Sequence, residues 1–197
     1  MAVVSVIVKK VLITMKRASA KAKGKKLEVL TGKLLGNWWW GQPFPRSHGS
    51  GSSLTYCADD TVIAGDLHTT KDFPFCVECK NQEQWSLDAV FAGTCKKVAG
   101  WWAQTLRESG IANKIPMLVA TRNSYPIYMI MRRYNIGWNW DSMLLDMDRC
   151  FFLLGEESLV LVKLEEFAKY VLVERVKGYI SGAKEESQYM SNKQTGE

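Results

Sequence analysis

Residues 65–81 read "GDLHTTKDFPFCVECKN", and the way this stretch is threaded decides the fold. Two signals overlap in it. Cys76 and Cys79 have the C-x-x-C spacing of metal and redox sites. Asp66, Glu78 and Lys80 put two carboxylates and an amine at the ends of two apolar runs. Side chains alternate along a strand. Read as a strand, "FCVECK" sends Cys76, Glu78 and Lys80 to one face and Phe75, Val77 and Cys79 to the other. The two thiols then diverge and cannot grip one metal, since a zinc knuckle or redox pair needs a turn or a helix N-terminus. Five cysteines (Cys57, Cys76, Cys79, Cys95 and Cys150) at irregular spacings read as reduced thiols.

Treated as a hairpin with its tip near Asp72, residues 61–80 bring Asp66 opposite Glu78, with Cβ atoms about 5 Å apart. Unpaired, the two carboxylates repel. A hard divalent cation between them relieves that repulsion, with Lys80 one step along the same face. A structural Asp/Glu/Lys salt-bridge cluster relieves it equally well, and geometry alone leaves both readings open.

Outward from this stretch the chain alternates helix and strand patterns. Leu27, Leu30, Leu34 and Leu35 predict a helix over 24–36 that stops at Gly36. Residues 41–53, "GQPFPRSHGSGSS", read as a loop, and Leu54–Cys57 as a first strand. Strand-like runs follow at Thr61–Leu67 and Phe73–Lys80. Ser86 caps a long helix from Leu87 to Ser109, ended by Gly110, with Trp101 and Trp102 on its buried face. "IPMLVAT" and "PIYMIMRR" are strands around a turn at "NSY". Residues 135–148 read as a helix, "CFFLL" and "LVLVKL" as a hairpin, and "EEFAKYVLVERV" as a helix. The expected domain plan is a flexible basic arm over 1–23, a core over 24–132, an α/β extension over 133–177 packed on it, and a disordered tail over 178–197.

The composition, 47% apolar and 23% charged over 197 residues, is that of an ordinary globular protein. Its +6 charge is uneven. Residues 1–27 hold eight basic residues and no acid, so the remainder carries −2. Such an arm suits a polyanion, as it would suit a solvated leader. "AVVSVIV" is too short to span a bilayer and precedes its lysines, the wrong order for a secretion signal. The reading is a cytoplasmic protein of a bacterial, archaeal or virus-infected cell, without a membrane; a single Arg among seven Lys in the leader argues against organellar targeting. "NWWWG" reads as core or dimer-contact aromatics, with base stacking as the sharper alternative.

The pattern G-D66-x(11)-E78-C-K80 resembles the PD-(D/E)xK nuclease motif, with Gly65 where Pro is usual. The blocks "GKKLEVLTGKLLG", "FPRSHGSGSS", "AGDL" and "FCVECKN", in that order, resemble Holliday junction resolvases of archaeal and phage type. The resemblance implies an α/β restriction-endonuclease-like core, a central mixed β-sheet flanked by helices. It implies a homodimeric endonuclease that hydrolyses phosphodiester bonds in branched or double-stranded DNA with Mg²⁺, or with Mn²⁺ in its place. Asp66, Glu78 and the backbone carbonyl of Cys79 would hold the metal. Lys80 would orient or deprotonate the attacking water, or stabilise the transition-state charge. Glu28 would match the acid that relatives place near the metal. Arg46, Ser47, His48, Ser50, Ser52, Lys96 and Lys97 would contact DNA. Another nuclease on the same fold, or a DNA-binding module without catalysis, is the rival reading.

Overall fold

The computed structural model describes residues 20–47, 61–135, 138–139 and 147–181. Helix α1 spans Ala20–Trp40. Strands β1 (Thr61–Ala64) and β2 (Leu67–Thr70) precede β3 (Phe75–Asn81). Helices α2 (Leu87–Phe91) and α3 (Lys96–Ala112) lead to β4 (Ile115–Thr121) and β5 (Tyr128–Arg132). The short β6 (Tyr134–Asn135) and β7 (Trp138–Asn139), then β8 (Arg149–Leu154), β9 (Glu157–Lys163) and α4 (Leu164–Tyr170), complete the order. Residues 173–181 are helical again.

The main sheet has the order β3-β4-β5-β9-β8. Only β3 and β4 are parallel, joined by the α2–α3 crossover, and the other neighbours are antiparallel. This is the expected α/β mixed sheet flanked by helices. Period-2 alternation gives it two dry faces. Val77, Cys79, Met117, Val119, Met129 and Val160 pack in the core on the side of α1 and α4. Leu118, Ala120, Ile130 and Leu161 pack with Val98, Trp101 and Trp102 of α3 on the other.

The structure redraws several sequence expectations. The helix predicted over 24–36 runs from Ala20 to Trp40. Gly36 does not stop it but lets the returning chain close in, since a Cβ there would lie 2.3 Å from the Gln42 carbonyl oxygen. Residues 20–23 of the supposed flexible arm are helical, and Lys23 pairs with Glu83 at 3.3 Å. The long helix over 87–109 breaks in two, because residues 92–95 turn the chain between α2 and α3. Ser86 does cap α2, accepting from the Ala89 N–H. Helix α3 passes Gly110 and ends on Asn113, which adopts the left-handed conformation. Residues 149–163 join the core through the sheet itself, because β9 pairs directly with β5 and extends it. Antiparallel pairing of β6 with β7 replaces the start of the helix expected over 135–148. Helix over 173–181 replaces the start of the expected tail. The strand expected at Leu54–Cys57, most of the 135–148 helix and the tail from 182 onward lie outside the described residues.

The tryptophans of "NWWWG" are part of the core rather than a free platform. Trp38 donates its indole N–H to the Val171 carbonyl at 2.7 Å, and Trp39 donates to Asp72 at 3.2 Å. Their rings meet Phe167 and Phe73, which leaves Trp40, stacked on Phe44, as the half-exposed member.

Candidate active site

The site lies along β3 and its free edge. Residues 61–80 do not form one hairpin. The chain turns at Gly65–Asp66, and β1 pairs with β2 in the register Ile63–His68. That turn then docks against β3. The Asp66 N–H donates to the Val77 carbonyl at 2.8 Å, and Gly65 forms a parallel bridge with Val77. Gly65 has φ +70°, and a Cβ there would lie 2.2 Å from the Val77 carbonyl oxygen. Only glycine fits this approach, which explains the departure from the usual proline. Asp66 thus lies close enough to Glu78 for the two charges to repel, through a turn pressed on a strand rather than the expected hairpin register.

Each site residue has a defined anchor. Asp66 Oδ2 accepts the Cys79 backbone N–H at 2.8 Å. In a strand the N–H and C=O of one residue share a side, so the Cys79 carbonyl points to the same free edge as Asp66. Glu78 is 3% exposed and faces α3. It pairs with Lys80 and accepts from Gln104 Nε2 at 3.0 Å. Lys80 Nζ donates to Gln104 Oε1 at 3.0 Å, and Gln104 Nε2 also reaches Glu108 at 2.8 Å. Glu28 accepts from Arg46 Nε at 2.7 Å. The segment carrying Arg46 is clamped to the Asp66 turn, because the Ser47 N–H donates to the Asp66 carbonyl at 2.8 Å.

Burial and crowding of like charge set the electrostatics. Desolvation pushes the Asp66 carboxyl up to about 6, with Glu28 and Glu108 adding to the rise and the Cys79 N–H and Lys80 opposing it. Desolvation and then the Asp66 charge push Glu78 up to about 8, against the pull of Lys80. The cysteines show the opposite of reactivity. Burial pushes Cys76 up to about 12 and Cys79 well above the ordinary thiol value. Their side chains leave β3 on opposite faces, and all four described cysteines are free.

A divalent ion fits the donor set. Asp66, Glu78 and the Cys79 carbonyl offer hard oxygens, and a cation would offset both the desolvation of the two carboxylates and their mutual repulsion. Among the described residues no three carboxylate, His or Cys side chains form a metal-holding group by themselves. Two carboxylates, one backbone oxygen and water would be the set.

Of the residues expected to touch DNA, Arg46 borders the site through Glu28. Ser47 is buried, and its hydroxyl donates to the Gly65 carbonyl at 3.3 Å, so its side chain serves the turn. Lys96 and Lys97 stand at the start of α3, two turns before Gln104. His48, Ser50 and Ser52 lie outside the described residues. Sequence reading missed Gln104 and Glu108. They are spaced i, i+4 and each precedes a buried polar residue of α3, Thr105 and Ser109. That places them on the flank of the buried stripe, a weak signal without the sheet beneath.

Comparison with known proteins agrees with this geometry. A family model described as "Phage putative PDDEXK endonuclease" matches residues 19–171. That span takes in α1, the whole main sheet and α4. No curated protein and no solved structure matches. With most of its length under that match, the chain belongs to the phage putative PDDEXK endonuclease family.

Proposed function

We propose that the protein is a divalent-metal-dependent, structure-selective DNA endonuclease that acts on four-way junctions. The observation that carries the chemistry is the docked turn that sets Asp66 on the edge of β3 beside Glu78 and Lys80. When bound, Mg²⁺ (or Mn²⁺) supplies Lewis acidity, lowering the pKa of water and offsetting charge on the phosphate. The chain's own residues do the rest. Asp66, Glu78 and the Cys79 carbonyl would hold the ion. Glu78 and Gln104 hold the Lys80 amine at the site. Lys80 would donate to the developing charge on the phosphate as an ammonium, or take a proton from the attacking water as a neutral amine. Glu28 fixes Arg46 at the rim, where a guanidinium suits a backbone phosphate. These contacts position DNA without reading bases, which favours selection by shape. Two coordinated nicks need two such sites, hence a homodimer. The phage-type family and the free cysteines fit action in the cytoplasm of an infected cell.

The test is cleavage of a labelled four-way junction and of its linear arms, with Mg²⁺, Mn²⁺ or EDTA. Metal-dependent, paired cuts near the branch are expected. Equal cutting of linear DNA would replace the resolvase reading by a general nuclease, and no cutting with any divalent ion would leave a binding module.

A further inference from the structure

A second basic feature lies where β3 and β4 end, apart from the carboxylates. An open cleft of about 560 Å³ runs between the turn after β3, the α2–α3 turn and Arg122, which follows β4. Its charged lining is Lys96, Lys97 and Arg122, and no acid lines it among the described residues. The flanking carboxylates are Glu83, which is paired with Lys23 at 3.3 Å, and Asp88, which lies in the first turn of α2. Lys97 is held in place, donating to the Glu83 carbonyl at 3.0 Å and to Gln84 Oε1 at 3.1 Å. Gln84 sits at φ +67°, a costly state for a side-chain-bearing residue. The Arg122 guanidinium lies over the Tyr125 ring, 3.8 Å from its centroid. Its Nε is shut off from solvent and has no hydrogen-bond partner among the described residues. Three cations thus face one cleft, one of them with an unused donor.

Lys97 and Gln104 are seven residues apart on one face of α3, about 10 Å at 1.5 Å per residue. Gln104 holds Glu78 and Lys80, so along α3 the cleft stands about that far from the carboxylate site. Phosphates on one strand wind around the duplex and stand further apart than the 3.4 Å axial rise, so 10 Å spans about one or two nucleotides. We infer that this cleft seats one backbone phosphodiester of the cleaved strand, one or two nucleotides from the cut, with Arg122 as its principal ligand. The inference rests on the nuclease reading and adds to it a positioning site that fixes where the strand is cut.

The experiment is a methylphosphonate scan, which removes the charge of one phosphate at a time along a four-way junction. Single-turnover cleavage is measured for the wild type, Arg122→Gln and Lys96→Gln. The wild type should slow roughly tenfold when the phosphate one or two nucleotides from the cut is neutralised. The same substitution should cost Arg122→Gln little more, because the guanidinium that would hold that phosphate is already absent. Binding by Arg122→Gln should also show a salt slope shallower by about 0.7–0.9. A flat scan with an active wild type overturns the inference, as do losses that simply multiply. Sensitivity only to a terminal phosphate, or competition by inorganic phosphate alone, also overturns it. If Arg122→Gln fails to fold, the exposed Lys96→Gln carries the same comparison. If the wild type cuts nothing, the nuclease reading has failed, and the binding salt slope still decides on the cleft.

Discussion

Asp66 and Glu78 hold their protons more tightly than ordinary carboxyls, at about 6 and about 8, because both are desolvated beside one another. Raised acid pKa values mean that the folded, metal-free protein loses stability as the groups ionise. The contribution is most favourable below about pH 4 and falls away as pH rises through 6 and 8. In EDTA the melting temperature should therefore drop across that window. Glu78→Gln should flatten the drop and gain on the order of 1–3 kcal/mol at pH 9. Mg²⁺ should raise the wild-type melting temperature at pH 8 and leave Glu78→Gln unmoved. A pH-independent melting curve would contradict this account. At this scale the site was largely legible, because period-2 alternation alone separates Glu78 and Lys80 from Cys79. Gln104 was not, since its role depends on how α3 lies across β3.

At the scale of elements, the Gly65 turn is what brings the two carboxylates together. Gly65→Ala puts a methyl group into the Val77 carbonyl at a left-handed φ. A loss of roughly 2–4 kcal/mol is expected in thermal or urea melts. Metal-induced stabilisation should weaken at least tenfold even where the fold survives, because Asp66 is pushed off the strand edge. Full metal binding by Gly65→Ala would show that the turn does not position the site. The apolar periods announced the sheet strands well, since each is a buried run. They could not show that 61–80 divides into a turn docked on a strand, because hairpin and docked turn bury similar residues. Lys114 helps hold the divided form, donating to the carbonyls of Thr70, Lys71 and Phe73 beneath the β2–β3 connection.

For the whole molecule, net charge lies at one end. Residues 20–23 belong to α1, so a clean truncation removes residues 1–19, with Lys9, Lys10, Lys16 and Arg17. The shortened chain should melt as the full chain does. Its DNA affinity should fall, and its log affinity against log salt should flatten by about 0.7–0.9 for each phosphate that the arm neutralises in the full chain. An unchanged slope would mean that the arm does not touch DNA. The architecture was readable from the order of apolar periods as far as the β4–β5 pair. The part played by β8 and β9 was not, because a hairpin announces its own pairing but not the sheet that it joins. We propose that Asp66, Glu78 and Lys80, not the C-x-x-C cysteines, form a metal-dependent cutting site. Single-turnover cleavage of a four-way junction over a Mg²⁺ titration tests it, comparing the wild type, Asp66→Asn and the paired Cys76→Ser/Cys79→Ser variant. The wild type and the serine variant should cut with metal and stop in EDTA, while Asp66→Asn binds the junction and leaves it intact. Cutting by Asp66→Asn at the wild-type rate, or loss of cutting in a folded serine variant, would contradict the account.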